Sequence, residues 1–122
     1  MANSVLVVED NVTVRTLLIR LIRRANPEAC VVDVEGGEDA LEMFSRHHPN
    51  LVLLDHGLPD INGFAVLERL KLQSDAPYVI MITGDPSLEA EAFAYGADEV
   101  WLKPMDVGQM LPHLAHLLVA HQ

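Results

Sequence analysis

Two short runs of large apolar residues, each ended by acidic residues, dominate the hydrophobic pattern of the chain. Residues 51–54 (LVLL) run directly into Asp55, and a segment containing Pro and Gly follows. Residues 5–8 (VLVV) run in the same way into Glu9 and Asp10. Unbroken apolar runs of this length are typical of strands that are covered on both faces. We therefore predict two buried strands whose C-terminal ends carry carboxylates.

The rest of the chain alternates between strand and helix patterns. Further strands are predicted at residues 30–34, 78–82 and 100–102. Helices are predicted from residue 11 to about 26, over 38–47, from 63 to about 72, from 86 to 95, and after residue 106. Residues with helical spacing on one face of the first helix support it: Val14, Leu17, Leu18, Leu21, Ile22 and Ala25.

Helix starts and weak helices can also be predicted from single residues. Asn62 and Asp85 are candidate N-caps, and Pro86 suits the first helical position. The helix after Pro86 is expected to be weak, because its apolar face depends on few large residues: Leu88, Ala90, Phe93 and Ala94. In the last helix Pro112 cannot donate a backbone hydrogen bond, which predicts a kink or a late start.

Alternation of five strands with five helices predicts a doubly wound α/β fold, a flavodoxin-like single domain over residues 1–122. The strand order 2-1-3-4-5 suits this length and places the first and third strands side by side. Their C-terminal ends then lie at the crevice where ligands bind in such sheets. Glu9, Asp10 and Asp55 are therefore expected to converge.

The charge of the chain argues against nucleic acid as a direct partner. The chain contains 18 acidic against 8 basic residues, a formal net charge of −10. Such a surface repels phosphate backbones and anionic membranes. No apolar run is long enough to span a bilayer, and residues 1–10 lack the basic start of a secretory signal. We expect a cytoplasmic protein in which the one cysteine, Cys30, is a small buried apolar residue.

Three converging carboxylates predict a binding site for a hard divalent cation. Like charges repel at short range, and a cation offsets this repulsion. Oxygen ligands without His or Cys favour Mg²⁺, which typically takes one or two carboxylates and keeps several waters. A free carboxylate oxygen can then act as a nucleophile toward phosphorus. Lys103 and Thr83, at neighbouring predicted strand ends, can supply an ammonium and a hydroxyl to phosphoryl oxygens.

Each of these residues also has a simpler interpretation. Glu9 and Asp10 could cap the first helix. Thr83 could be an ordinary strand residue and Lys103 a solvated surface residue. Their combination at strand ends favours a site. The histidines His113 and His116, spaced i, i+3, are better interpreted as surface residues than as a metal pair.

The residues of this constellation resemble, in identity, order and spacing, those of one family. Each stands at a predicted strand end: Glu9 with Asp10, Asp55, Thr83, and Lys103 with Pro104. On these residues the whole chain resembles a response-regulator receiver domain of two-component signalling, in the CheY-like superfamily.

The resemblance implies a switch more than an enzyme. It implies that Asp55 accepts a phosphoryl group from a phosphohistidine of a sensor histidine kinase or a histidine phosphotransfer protein. It further implies that Thr83 and Lys103 assist, and that phosphorylation changes a surface that binds a downstream output protein or domain. The bond between Lys103 and Pro104 is expected to be cis.

The resemblance also implies the ligands of the cation. Mg²⁺ would be held by Asp10, Asp55 and the backbone carbonyl of Gly57, and Glu9 would act through water. Two of these positions depart from the common family pattern. Glu9 replaces an aspartate, and Gly57 has no side chain to orient an attacking water.

A third departure concerns the family's aromatic switch residue. Three residues before Lys103, where the family usually has an aromatic, the chain has Val100. Because successive strand residues face opposite sides, we expect Trp101 to face the last helix, against Leu111 or Leu114, and not to replace the switch.

Two other functions compete with the phosphoacceptor. A degenerate receiver could serve as a constitutive interaction module, but every required site residue is present. An independent Mg²⁺-dependent phosphatase would need an aspartate two residues after Asp55, where the chain has Gly57.

Overall fold

The computed structural model describes residues 3–120, in which a five-stranded parallel sheet is covered by helices on both faces. The strands are β1 (Ser4–Val8), β2 (Cys30–Val34), β3 (Leu51–Asp55), β4 (Tyr78–Thr83) and β5 (Glu99–Leu102). The helices are α1 (Val12–Ala25), α2 (Gly37–His47), α3 (Gly63–Lys71), α4 (Glu89–Ala94) and α5 (Val107–Ala120). A 3-10 turn at Pro86–Leu88 precedes α4. The predicted boundaries at residues 1 and 122 lie outside the described residues.

The order of the strands is β2-β1-β3-β4-β5, which confirms the predicted doubly wound fold. β1 and β3 are neighbours, and their register pairs Val8 with Leu54. The residues that follow this pair are Glu9 and Asp55. The register of β1 and β3 therefore places the two carboxylates at the same edge of the sheet.

The apolar runs of the central strands are buried because helices cover both faces. One core cluster joins alternate strand residues such as Leu6 and Leu54 to α2, α3 and Ala92 of α4. The other joins the intervening residues, such as Val7 and Leu53, to α1 and α5. The pattern of β3, buried at every position, is the one expected of a strand covered on both faces.

Helix caps lie where the sequence predicts them. The Asn62 side chain accepts a hydrogen bond from the Phe64 amide at 2.8 Å, and Asp85 accepts one from Ser87 at 2.9 Å with Pro86 between them. Asn11 caps α1 in the same way. These short polar side chains satisfy amides that have no partner within the helix.

Two expectations about surface and core are corrected. Cys30 is exposed, at the first position of β2, which is an edge strand of the sheet. In α4 Ala92 is the buried residue, whereas Phe93 is 47% exposed. α5 begins at Val107, directly after Asp106 as predicted, which excludes the late start among the two alternatives, and Pro112 lies inside the helix.

Among residues 3–120, no helix is long and apolar enough to cross a membrane.

Candidate functional site

Three backbone hydrogen bonds extend the sheet beyond the strand ends and hold the candidate site residues. The Glu9 amide donates to the carbonyl of Val34 at 3.1 Å. The Lys103 amide donates to the carbonyl of Thr83 at 2.9 Å. A third bond, from His56 to β4, fixes the backbone directly after Asp55. The site therefore sits on rigid strand ends.

Three carboxylates converge at this edge, as predicted. Glu9, Asp10 and Asp55 each present an oxygen, and these oxygens lie within 4.8 Å of one another. Asp10 is exposed, whereas Glu9 and Asp55 are 1% and 5% exposed. Two of the three acids are therefore withdrawn from water while the third remains open to it.

Lys103 lies between the two buried carboxylates. Its Nζ is 3.1 Å from Oδ1 of Asp55 and 3.2 Å from Oε1 of Glu9. The bond between Lys103 and Pro104 is cis, as expected. The ammonium thus offsets part of the acidic charge at the strand ends.

The protonation of these groups reflects their burial and their mutual contacts. Burial, and then the neighbouring carboxylate of Asp55, raise the pKa of Glu9 to about 7. Burial acts to lower the pKa of Lys103, but the hydrogen bonds and charges of Asp55 and Glu9 outweigh it, so that this pKa lies above its ordinary value. The lysine is therefore a cation, and Glu9 titrates near neutral pH, where a nearby positive charge would favour its ionised form.

One oxygen of Glu9 is buried without a partner. Lys103 engages Oε1, whereas Oε2 makes no hydrogen bond within the described residues. Buried polar atoms almost always have a partner, so an orphan oxygen beside two other carboxylates points to a group that completes the site. An all-oxygen donor set of this kind fits a hard cation such as Mg²⁺.

Thr83 and Gly57 line the open side of the same site. Thr83 is buried, and its Oγ1 accepts a hydrogen bond from the Asp85 amide at 3.1 Å. A Cβ placed on Gly57 would lie 3.8 Å from Oδ2 of Asp55, so this exposed residue is beside the carboxylate. The site opens into a cleft of about 810 Å³ whose lining includes Glu9, Asp10, Asp55, Gly57, Thr83, Gly84, Asp85 and Lys103.

Arg15, on α1, also lies in this region, although no expectation from the sequence included it. Its guanidinium donates to the carbonyl of Glu9 at 2.8 Å and pairs with Asp33 of β2 at 3.1 Å. The side chain is 12% exposed. Arg15 therefore fastens the backbone that carries two of the acids to the first helix and the edge strand. A lone Arg in a helix pattern gives no signal of this role.

The capping role of Asp60, in the loop between β3 and α3, was also not predicted from the sequence. Its carboxylate accepts hydrogen bonds from the amides of Gly37 and Glu38 at 2.8 and 3.0 Å, at the start of α2. A signal was available in the sequence, because two glycines stand where a capping side chain is expected and a cap from elsewhere is then needed.

Val100 and Trp101, neighbours on β5, lie on opposite faces of the sheet. Val100 packs with the cluster that contains Ala92, on the α4 side. Trp101 packs with the cluster that contains Leu114, on the α5 side, and its Nε1 donates to Glu99 at 3.3 Å. The predicted orientation of Trp101 toward the last helix is confirmed.

The two histidines of α5 lie at exposed positions. His113 is hydrogen bonded to Glu99 at 2.6 Å, and His116 is exposed. Among residues 3–120, the group of three or more possible metal ligands is the one formed by Glu9, Asp10 and Asp55.

Comparison with known families covers most of the chain. Residues 5–115 match the family model described as the response regulator receiver domain. A probable transcriptional regulator, ycf27, from Cyanophora paradoxa is 34% identical over 117 residues, which are 94% of this chain and 48% of that protein. The chain spans about half the length of the curated relatives it matches.

Solved structures share the fold. The crystal structure of a putative response regulator from Chloroflexus aurantiacus J-10-fl aligns with a TM-score of 0.87 and 25% identity, over 98% of this chain and 99% of that one. The chemotaxis protein CheY4 of Vibrio cholerae aligns with a TM-score of 0.84 and 23% identity, over 97% and 100% of the two chains.

Proposed function

The chain belongs to the family of response regulator receiver domains, and from this premise we propose that it accepts a phosphoryl group on Asp55 in a Mg²⁺-dependent reaction. The observation that carries the proposal is the convergence of Glu9, Asp10 and Asp55 within 4.8 Å, with Lys103 bound to the two buried acids. Neither helix capping nor core packing requires this arrangement.

Asp55 is the proposed nucleophile. One of its carboxylate oxygens forms a bond to phosphorus while the P–N bond of a phosphohistidine breaks and its electron pair returns to the imidazole. The backbone of Asp55 belongs to β3, and His56 after it is hydrogen bonded to β4, so the carboxylate is held in position before the donor arrives.

The proposed cation ligands are Asp10, Asp55 and the carbonyl of Gly57, with Glu9 acting through water. When bound, Mg²⁺ supplies positive charge that offsets the negative charge of the carboxylates and of the incoming phosphoryl oxygens. The orphan Oε2 of Glu9 supports a role for this residue toward the cation or its waters.

Lys103 and Thr83 are the proposed partners of the remaining phosphoryl oxygens. The ammonium of Lys103 contacts the carboxylate of Asp55, to which the negatively charged phosphoryl group would be added. The hydroxyl of Thr83 accepts from the Asp85 amide and carries one hydrogen that it can donate to a phosphoryl oxygen. Movement of Thr83 toward the phosphoryl group would alter the loop that leads to α4.

The proposed partners are a histidine kinase or histidine phosphotransfer protein upstream and an output protein or domain downstream. Receiver domains of two-component systems are signalling domains, and we propose a switch of this kind, in the cytoplasm, with no direct contact to nucleic acid. The relatives extend well beyond the matched region, and one is named a probable transcriptional regulator, so an output domain joined to the receiver is one form this partner can take.

The proposal is tested with acetyl phosphate as donor and intact-mass spectrometry as readout. We expect one phosphoryl group on the wild-type protein with Mg²⁺ and none in excess chelator. Asp55→Asn should remain unmodified, whereas the control Asp75→Asn, at an exposed site remote from the cleft, should be modified like the wild type. Equal modification of Asp55→Asn, or undiminished modification in chelator, would contradict the assignment.

A further inference from the structure

The loop between β3 and α3 supplies the N-terminal cap of a different helix. α2 begins at Gly37, and the residue before it, Gly36, has no side chain with which to cap. Asp60, 23 residues from Gly37 in the sequence, fills this place with the two short hydrogen bonds to Gly37 and Glu38 described above. Its negative charge lies at the positive end of the helix dipole. The amides of Glu38 and Gly37 hold the pKa of Asp60 below its ordinary value, so the cap is charged at neutral pH.

Two glycines allow the loop to approach α2 this closely. A Cβ on Gly36 would lie 3.0 Å from Oδ2 of Asp60. A Cβ on Gly37 would lie 2.4 Å from Cγ1 of Ile61, which is shorter than any real contact of this kind. The outer part of the loop is therefore pressed against the first turn of α2 and cannot shift without losing the cap.

The inner part of the same loop carries Gly57. The carbonyl of His56 accepts hydrogen bonds from the amides of Leu58 and Gly63 at 3.2 and 3.3 Å. A Cβ on Gly63 would lie 2.7 Å from this carbonyl oxygen, so α3 also begins in close contact with the loop. Gly57 itself is exposed and has no side chain to anchor it. Its position is set by the neighbours that hold the loop on either side.

We propose that Asp60 is a positioning residue for the cation site: by capping α2 it holds the loop that presents the Gly57 carbonyl beside Asp55. This inference rests on the proposed function for the role of Gly57. Ligand orientation by groups that do not touch the metal commonly governs metal affinity. Because coupling between two sites is reciprocal, a cation bound at the Gly57 carbonyl should in turn stabilise the first turn of α2.

Three variants separate this role from general stability. Asp60→Ala removes both acceptors, and Asp60→Asn keeps one. Asp106→Ala is the matched control. The exposed Asp106 accepts a hydrogen bond from the Gln109 amide at 3.3 Å at the start of α5, and this cap does not involve the loop between β3 and α3. Far-ultraviolet circular dichroism and thermal melting establish that each variant is folded at the temperature used.

Mg²⁺ binding to each protein is measured by isothermal titration calorimetry. We expect Asp60→Ala to bind Mg²⁺ about tenfold more weakly than the wild type. Asp60→Asn should bind with an affinity between the two, and Asp106→Ala should bind like the wild type even if it melts at a lower temperature.

Amide hydrogen exchange supplies a readout that a merely structural cap would not change. The Ala40 amide, bonded to the carbonyl of Gly36 at 3.1 Å, reports the first intrahelical bond of α2. Mg²⁺ should slow its exchange in the wild type and in Asp106→Ala, but not in Asp60→Ala.

The outcomes distinguish this inference from the proposed function. If the wild type binds no Mg²⁺, the proposed function fails and this inference fails with it. If the wild type binds Mg²⁺ but Asp60→Ala binds it equally well, or Asp106→Ala loses as much affinity, the positioning role alone is overturned.

Discussion

At the scale of single residues, Lys103 decides the electrostatic balance of the site. It is 94 residues from Glu9 in sequence and 48 from Asp55, yet its Nζ contacts both. An ammonium in this place stabilises the fold in the absence of a cation, and it also competes with a cation for the same carboxylate oxygens. Removal of the lysine should therefore destabilise the metal-free protein and increase the stabilisation that Mg²⁺ provides.

We predict that Lys103→Met lowers the free energy of unfolding in chelator by about 2 kcal/mol, because it leaves two buried carboxylates without their cation. Mg²⁺ should raise the melting temperature of this variant by more than it raises that of the wild type. The measurement is thermal melting with chelator and with Mg²⁺.

The control for this prediction is Lys71→Met. Lys71 pairs with Asp98 at 2.9 Å and donates to the carbonyl of Pro77, away from the acidic cluster. Its loss should also lower stability, but Mg²⁺ should help this variant no more than the wild type. An equal response of both variants to Mg²⁺ would show that Lys103 and the cation do not share the same carboxylates.

At the scale of elements, β5 presents two neighbouring residues to different helices. Val100, which stands where the resemblance predicts an aromatic residue, faces α4, and the one tryptophan faces α5. α4 spans residues Glu89–Ala94 and buries Ala92. A helix with so little buried surface is easily displaced, so α4 is the element on which a movement of the Thr83 loop would act first.

We predict that Trp101 does not report phosphorylation. Its ring packs on the α5 side, 6.4 Å from the His113 ring between centroids, and β5 is separated by β4 from β3, the strand that carries Asp55. Addition of Mg²⁺ with beryllofluoride, a mimic of the phosphoryl group, should leave the wavelength of maximum tryptophan emission unchanged.

Unfolding in urea is the control, since it must shift the same emission and so establish that the probe is sensitive. A large shift with beryllofluoride in the folded protein would mean that the face of β5 toward α5 takes part in the switch.

At the scale of the whole molecule, the buried acids link stability to pH. Glu9 has a pKa of about 7 in the folded protein against an ordinary value of 4.5. As pH rises between these values, the unfolded chain loses this proton while the folded chain keeps it, so the free energy of unfolding falls. Above about pH 7 both the folded and the unfolded chain have lost the Glu9 proton. The decrease in the free energy of unfolding is then constant, at most about 3 kcal/mol.

We therefore predict that Glu9→Gln removes a pH dependence from the metal-free protein. Urea denaturation in chelator between pH 5 and 8 should show the stability of the wild type falling relative to that of the variant until about pH 7. The difference between the two proteins isolates Glu9 from the other titrating groups. Parallel curves across this range would contradict the raised pKa.

Much of the fold and of the site follows from local patterns in the sequence. The runs at residues 5–8 and 51–54 specify buried strands, because a continuous apolar run is stable only where both faces are covered. Their parallel pairing then brings the acids together, since parallel strands end at one edge. The caps at Asn62 and Asp85 follow equally, because a short polar side chain bonds amides two or three residues ahead.

Other features depend on residues far apart in the chain and could not be predicted from local patterns. The exposure of Cys30 depends on which strand lies at the edge, and the burial of Ala92 depends on which side of α4 meets the rest of the protein. The pKa of Glu9 depends on burial and on the distance to Asp55, and the cap of α2 on a carboxylate 23 residues away. Hydrophobic period and capping act over a few residues, whereas burial, charge proximity and loop anchoring arise when separate elements meet.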